Sequence, residues 1–248
     1  MDARIERQYA DGRLAALYDA FYPAAGSDDV AFYLELIMSA AAVLDVGCGT
    51  GALLHGARQG GHTGWLCGLD PAAGMLTQAR RRSDIEWVQG DLSSARWDRE
   101  FDLAIMTGHA FQELVEDREI RAALTAIRSA LTDDGHFVFE TRNPLVRGWE
   151  RWATDYTAEV ADATGTIVRC EYQVDAVVGG VVHTTSTFTS PGWDRPLASH
   201  GTLRFLDAAA LSSLLSDAGL EIETQFGDWA RQPLTAASPE IISIVRKG

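Results

Sequence analysis

The stretch Leu44-Asp45-Val46-Gly47-Cys48-Gly49-Thr50-Gly51 decides how this chain is read. Val43 to Val46 is a short apolar, β-branched run that breaks into a glycine cluster before helix-forming residues resume at Ala52. A strand that passes through such a turn into a helix brings a ligand against backbone N–H groups at the positive helix end. The spacing fits two ligand classes, because Gly47, Gly49 and Ala52 also satisfy the G-x-G-x-x-G/A pattern of dinucleotide sites. Asp45 separates them. A carboxylate two residues before the first glycine is awkward beside a pyrophosphate and useful beside an ammonium or sulfonium group.

Downstream, short apolar runs alternate with amphipathic stretches as far as Glu140, the pattern of a doubly wound α/β parallel sheet. A helix is expected from Ala52 to the Gly60-Gly61 stop, a second strand over Trp65–Asp70 and a helix over Ala73–Ser83 with Met75, Leu76 and Ala79 on one face. Ile85–Val88 reads as the third strand, Phe101–Met106 as the fourth, Asp117–Leu131 as a helix and Gly135–Thr141 as the fifth strand. Asp70 then falls at the tip of the second strand, where a carboxylate accepts hydrogen bonds from both hydroxyls of a ribose. Gly90-Asp91-Leu92 ends the third strand and brings a further acid to the same sheet edge, suited to an exocyclic amine.

Residues 1–42 read as a helical cover and 43–143 as the cofactor-binding core. After Asn143-Pro144 the texture changes. Thr166–Val174, a Gly179-Gly180 turn, Val181–Thr189 and Thr202–Leu206 read as an antiparallel hairpin plus one strand, a cap inserted over 144–206. Residues 207–248 supply a helix N-capped by Asp207 and two closing strands, Leu220–Phe226 and Ile241–Arg246.

The chain has 248 residues and a formal net charge of −14, from 21 Lys and Arg against 35 Asp and Glu, so a phosphate backbone is repelled and nucleic acid is not expected as a partner. No apolar run approaches the roughly 20 residues that span a bilayer, and no membrane role is expected. Met1 to Arg7 carry no apolar signal core, so secretion is not signalled. Three cysteines, Cys48, Cys67 and Cys170, form no C-x-x-C pair and suggest neither disulfide nor zinc site, which fits a reducing cytoplasm. The six histidines show no ligand spacing, and no metal is expected.

With these residues in place, the chain resembles the class I S-adenosylmethionine-dependent methyltransferases of small molecules. Val43 through Gly51 is similar to that family's motif I, Gly68-Leu69-Asp70-Pro71 through Met75-Leu76 to motif II, and Gly90-Asp91-Leu92 to the adenine-contacting turn. The resemblance implies a Rossmann-like seven-stranded sheet of order 3-2-1-4-5-7-6 with one antiparallel strand. It implies S-adenosylmethionine as cofactor and S-adenosylhomocysteine as product. Gly47, Gly49 and Gly51 would approach the methionine moiety with Asp45 near its amino end, Asp70 would hold the ribose, and Met75 would pack on adenine. Pro71, Gly90, Asp91, Leu92 and Thr107 join the implied cofactor set, together with a cover tyrosine, Tyr18 before Tyr9 or Tyr22.

Methyl transfer from a sulfonium needs alignment and an unprotonated acceptor, with little covalent help. His109, in the loop leaving the fourth strand, is the candidate base; the other reading is that it packs or orients backbone. Glu140 and Arg142 flank the fifth strand's end, as acceptor-pocket groups with Arg142 binding an acidic substrate group, or as a local ion pair. Trp149, Trp152 and Trp193 either wall the acceptor pocket or anchor the cap, and His200 is a second candidate base. The function expected is methyl transfer to an O or N atom of a small organic molecule. A non-methylating S-adenosylmethionine-binding protein or rearrangement catalyst is the alternative, and a nicotinamide-dependent oxidoreductase is a third reading that leaves Asp45 without a role.

Overall fold

A computed structural model describes residues 5–24, 26–155 and 157–248. Four short helices open the chain: α1 (Arg7–Ala10), α2 (Gly12–Ala15), α3 (Tyr18–Phe21) and α4 (Asp28–Ser39). They form the cover. The wound core follows as β1 (Ala42–Val46), α5 (Ala52–Gln59), β2 (Trp65–Asp70), α6 (Ala73–Ala79), β3 (Glu86–Gln89), β4 (Phe101–Met106), α7 (Asp117–Ala130) and β5 (Leu131–Arg142). A short helix, α8 (Trp149–Asp155), leads into β6 (Thr157–Ala161), β7 (Ile167–Val178), β8 (Val181–Thr189) and β9 (Leu197–Arg204). The chain closes with α9 (Ala208–Asp217), β10 (Leu220–Phe226) and β11 (Glu240–Lys247).

The main sheet has seven strands in the order β10-β11-β5-β4-β1-β2-β3. β11 runs antiparallel to both β5 and β10, and the other pairings are parallel. Numbering only this sheet's strands reproduces the expected order 3-2-1-4-5-7-6. β1, β2 and β4 are buried along nearly their whole length because helices cover both faces. α7 is started by a capping box between Glu116 and Glu119 and buries Ile120, Ala123, Leu124 and Ile127 against the sheet. α9 is N-capped by Asp207, which accepts from the Ala210 N–H at 2.8 Å.

Three expectations need correction. The cap is a four-stranded sheet, β6-β7-β8-β9, rather than a hairpin plus one strand. β6 escaped notice because Thr157–Ala161 carries no apolar run, and β9 starts at Leu197 rather than Thr202 because pairing with β8 overrides the poor strand propensity of Ala198-Ser199-His200-Gly201. α6 stops at Ala79, not Ser83, and the freed Arg82 carbonyl accepts the Trp87 indole N–H at 2.9 Å. β5 begins at Leu131 and carries a register irregularity against β4.

The cover is tied down at both ends of the site. Leu14, Leu17 and Phe21 pack with Val168, Cys170 and Phe188 of the cap, while Ala15, Tyr9 and Tyr18 pack on Ala72 and Met75. Thr50 donates from its hydroxyl to Asp19 at 2.6 Å, joining the cover to the glycine turn.

Candidate active site

The glycine turn is built by its own hydrogen bonds. The Gly47 N–H donates to the Leu69 carbonyl at 2.8 Å, Gly49 to Asp70 Oδ2 at 2.9 Å and Gly51 to the Cys48 carbonyl at 2.9 Å. These three donors are therefore committed inside the protein, and none is offered to an anion as a pyrophosphate site requires. Gly49 has φ +55 with open space where a Cβ would stand, so a ligand can approach its backbone closely. Gly51 has a different reason to be glycine: at φ +74, its Cβ would run into the Trp87 ring. Of the three glycines, Gly49 is the one with open space beside it.

Asp45, at the end of β1, is buried, and its Oδ1 has no hydrogen-bond partner among the described residues. Burial first, then repulsion from Asp70 and Glu140, push its carboxyl up to about 8. A buried, partnerless carboxylate oxygen beside an open glycine turn is what an ammonium-bearing ligand needs. Asp70 is likewise buried, with one oxygen accepting from Gly49 and the other from the Ala72 N–H at 2.8 Å. Each oxygen retains acceptor capacity for a hydroxyl. Burial raises its carboxyl, and the two backbone donors oppose the rise. The residues present therefore fit S-adenosylmethionine: Asp45 for the amino end, Asp70 for the ribose.

The remaining cofactor candidates divide. Met75 is buried under Tyr9 and Tyr18 of the cover. Pro71 is exposed beyond β2, and Thr107 is half-buried after β4. Asp91 is exposed, and its Oδ1 accepts from the Ser93 N–H and hydroxyl and the Ser94 N–H, so half of this carboxylate caps its own turn. Those bonds hold it below its ordinary value despite partial burial. Gly90 leaves room for the Ser94 hydroxyl, and the Leu92 side chain belongs to the main core.

Above this edge lies a cavity of about 430 Å³. Tyr9, Tyr18 and Tyr22 of the cover all line it, with Tyr18 5–6 Å in ring separation from the other two (6.0 and 4.9 Å). Gly108, His109 and Glu113 come from the loop after β4, Arg142 from the end of β5, and Trp152, Tyr172, Thr184 and Leu203 from α8 and the cap. His109 has a left-handed backbone, φ +64. That conformation costs a non-glycine residue energy and is held by the His109 N–H donating to Glu140 Oε1 at 2.7 Å. The His109 ring faces Glu240 of β11, with Nε2 3.1 Å from Oε2.

Glu140 differs from expectation. It is buried beneath the cavity rather than lining it, with the Tyr33 hydroxyl on one oxygen and the His109 N–H on the other. Arg142 does reach the cavity, but not as half of an ion pair with Glu140: its Nη1 donates to Gln112 Oε1 at 3.2 Å and its guanidinium lies 4.8 Å from the Trp152 ring centre. Of the three tryptophans, Trp152 faces the cavity, Trp149 packs on Val182 and Phe205, and Trp193 joins the cover–cap contact. His200 is exposed on the cap beside Thr185 and does not line the cavity.

Sequence reading missed Glu6 and Glu113. Both face the cavity. Glu113 is exposed at the cavity wall, and its carboxyl is pushed up to about 8 by the protein packed around it, then by Glu6 and Asp70. Burial likewise takes Glu6 up to about 7, against the bond from Gln8. The one signal for Glu6 was Gly201, whose hydrogen stands where a Cβ would meet Glu6 Oε1 and Thr184 Oγ1.

Residues 43–135 match the family model described as "Methyltransferase domain". The chain is 26% identical over 212 residues to the cypemycin N-terminal methyltransferase of a Streptomyces species, covering 83% of this chain and 82% of that protein. It is 27% identical over 223 residues to a dTDP-3-amino-3,4,6-trideoxy-alpha-D-glucopyranose N,N-dimethyltransferase of Streptomyces venezuelae, covering 84% and 90%. The fold matches a structure of an S-adenosylmethionine-bound amino pentose methyltransferase from Micromonospora echinaspora at a TM-score of 0.70 and 24% identity, over 94% of this chain and 97% of that one. Residues 43–135 thus carry a methyltransferase domain, the chain has the class I methyltransferase fold, and S-adenosylmethionine is the cofactor these matches support. No helix among the described residues is long and apolar enough to cross a membrane.

Proposed function

We propose that this enzyme methylates the nitrogen of a small amine held in the cavity between cover, cap and sheet, and that it works in the cytoplasm. The observation that carries the choice of nitrogen is the pair of cavity carboxyls, Glu6 and Glu113, which favour a cationic or proton-donating acceptor. Two relatives with nitrogen acceptors in their names support the same reading. The enclosing cap and the acidic surface favour a small molecule over nucleic acid.

S-adenosylmethionine, when bound, supplies an activated methyl group that needs no metal. Asp45 and Asp70 bind and orient its amino and ribose ends. Glu140 is a positioning residue: it fixes the turn that aims His109 at the cavity. His109 takes the proton lost by the acceptor nitrogen, and Glu240 on its Nε2 steadies the charged ring. Tyr9, Tyr18 and Trp152 exclude water from the acceptor.

Product formation from S-adenosylmethionine across a panel of small primary amines and matched alcohols tests the proposal. Amines are expected to turn over and alcohols not; equal rates for both would remove nitrogen specificity. His109→Ala is expected to lower kcat and leave S-adenosylhomocysteine binding intact. An unchanged kcat would remove His109 from proton transfer. S-adenosylhomocysteine at 100 times its Kd should stabilise the fold by about 2.7 kcal/mol, while NAD should not.

A further inference from the structure

Charge on the cavity wall is separated. Arg142 stands at the end of β5 with Gln112 on one side and the Trp152 ring on the other, and among the described residues no carboxylate lies within ion-pair distance of its guanidinium. A guanidinium carries five N–H donors, and the Gln112 side chain takes only one from it. Desolvation is the main influence pulling Arg142 below its ordinary value. Glu240, its cross-strand neighbour on β11, and Glu140 attract it from beyond ion-pair distance and oppose that fall, but neither makes direct contact, and the cavity is where an anion can reach it. Glu6 and Glu113 lie on another part of the same wall with the reverse problem. Gln8 donates to Glu6 at 2.5 Å and Tyr9 bonds Glu113, but both partners are neutral. Among the described residues neither acid has an ion-pair partner, and Glu6 raises the cost of ionising Glu113. These acids would be a solvated cluster on an open surface. Here they line one cavity with a cation that has no carboxylate in direct contact.

We propose that the acceptor is a zwitterion whose anionic group pairs with Arg142 while its amine faces Glu6 and Glu113. This deepens the methyl-transfer reading and rests on it. The aromatic groups that line the same cavity, Tyr9, Tyr18, Trp152 and Tyr172, suit a flat or apolar body. The anionic group is a carboxylate or a phosphate, both of which a guanidinium binds through paired N–H donors. Two separate contacts set the discrimination: an amine without the anion forgoes the direct pairing with Arg142, and an anion without the amine forgoes the contact with the acids.

The test separates the two poles with fragments. Thermal shifts are measured for the full chain with sodium benzoate, phenyl phosphate and benzylamine, and with S-adenosylhomocysteine as a separate arm. Benzoate, phenyl phosphate or both are expected to stabilise wild type and Arg142→Lys, and to lose about tenfold or more in apparent affinity in Arg142→Gln. Whichever anion gives the larger shift identifies the group. Benzylamine is expected to stabilise wild type and Arg142→Gln but not Glu113→Gln. Wild-type crystals soaked in benzoate should show its carboxylate within hydrogen-bond distance of Arg142, which holds the proposal to account even if Arg142→Gln does not fold. Absence of any anion shift in wild type, or its survival in Arg142→Gln, overturns the zwitterion while a normal S-adenosylhomocysteine shift leaves the methyltransferase reading standing. Absence of the S-adenosylhomocysteine shift itself strikes the underlying reading instead.

Discussion

The two sheets of this enzyme solve burial in different ways. In the seven-stranded sheet, β1, β2 and β4 are buried on both faces, and their sequences are near-continuous apolar runs. In the four-stranded cap, β7 and β8 alternate, with Val168 and Cys170 buried while Arg169 and Glu171 face solvent. The wound sheet holds the cofactor edge through groups fixed by its own backbone. The cap needs the cover: its inner face is completed by Leu14, Leu17 and Phe21. The strand-tip groups thus belong to one sheet edge, and the shape of the cavity belongs to an assembly of three distant segments.

That contrast can be broken or sharpened by measurement. The largest effect is expected in the wound sheet. Phe139→Ala removes a fully buried ring stacked between Phe111 and Phe137, and should cost about 3–5 kcal/mol in urea unfolding. A loss below about 1 kcal/mol would show that the two-sided core is not where stability resides. Asp70→Ala comes next. It leaves the Gly49 and Ala72 N–H groups without their acceptor and takes away the carboxylate proposed to hold the ribose, so Kd for S-adenosylhomocysteine should rise on the order of 100-fold by calorimetry. An unchanged Kd would place the nucleoside elsewhere.

A third effect follows from the raised acids. Asp45 and Glu113 titrate near 8 and Glu6 near 7 when folded, against ordinary values of 3.8 for the aspartate and 4.5 for the glutamates. Between about pH 4 and 8 the folded state therefore binds more protons than the unfolded state, and stability without ligand should fall as pH rises through that window. Asp45→Asn should flatten the decline. A pH profile unaltered by that substitution would mean that Asp45 ionises normally. The smallest effect is expected at the hairpin tip of the cap, where Val178 is 66% exposed: Val178→Ser should change stability by no more than about 0.5 kcal/mol. A larger loss would make the cap tip part of the folding core.

The site was unequally legible in the chain. Asp45 and Asp70 could be found because each sits at a strand tip next to a turn that announces itself, and strand tips of a wound sheet share one edge. The same reasoning gave the glycines a single purpose, whereas Gly51 clears Trp87, a contact set by sheet packing. His109 was reachable as a loop residue after β4, but its partner Glu240 is 131 residues away. Glu140 shows the limit most clearly: strand alternation cannot say whether a carboxylate at the end of β5 turns toward a cavity or down onto Tyr33.

Local rules of the sequence, the apolar runs, glycine turns and caps, fixed the wound sheet and the acids at its strand tips, because each depends on residues a few positions apart. Only the tertiary structure brought Glu6, Glu113 and Arg142 to one cavity, left Arg142 without a carboxylate in direct contact and turned Glu140 inward. Those outcomes depend on how cover, sheet and cap close on one another, and closure of segments far apart in the chain leaves no periodic mark along it.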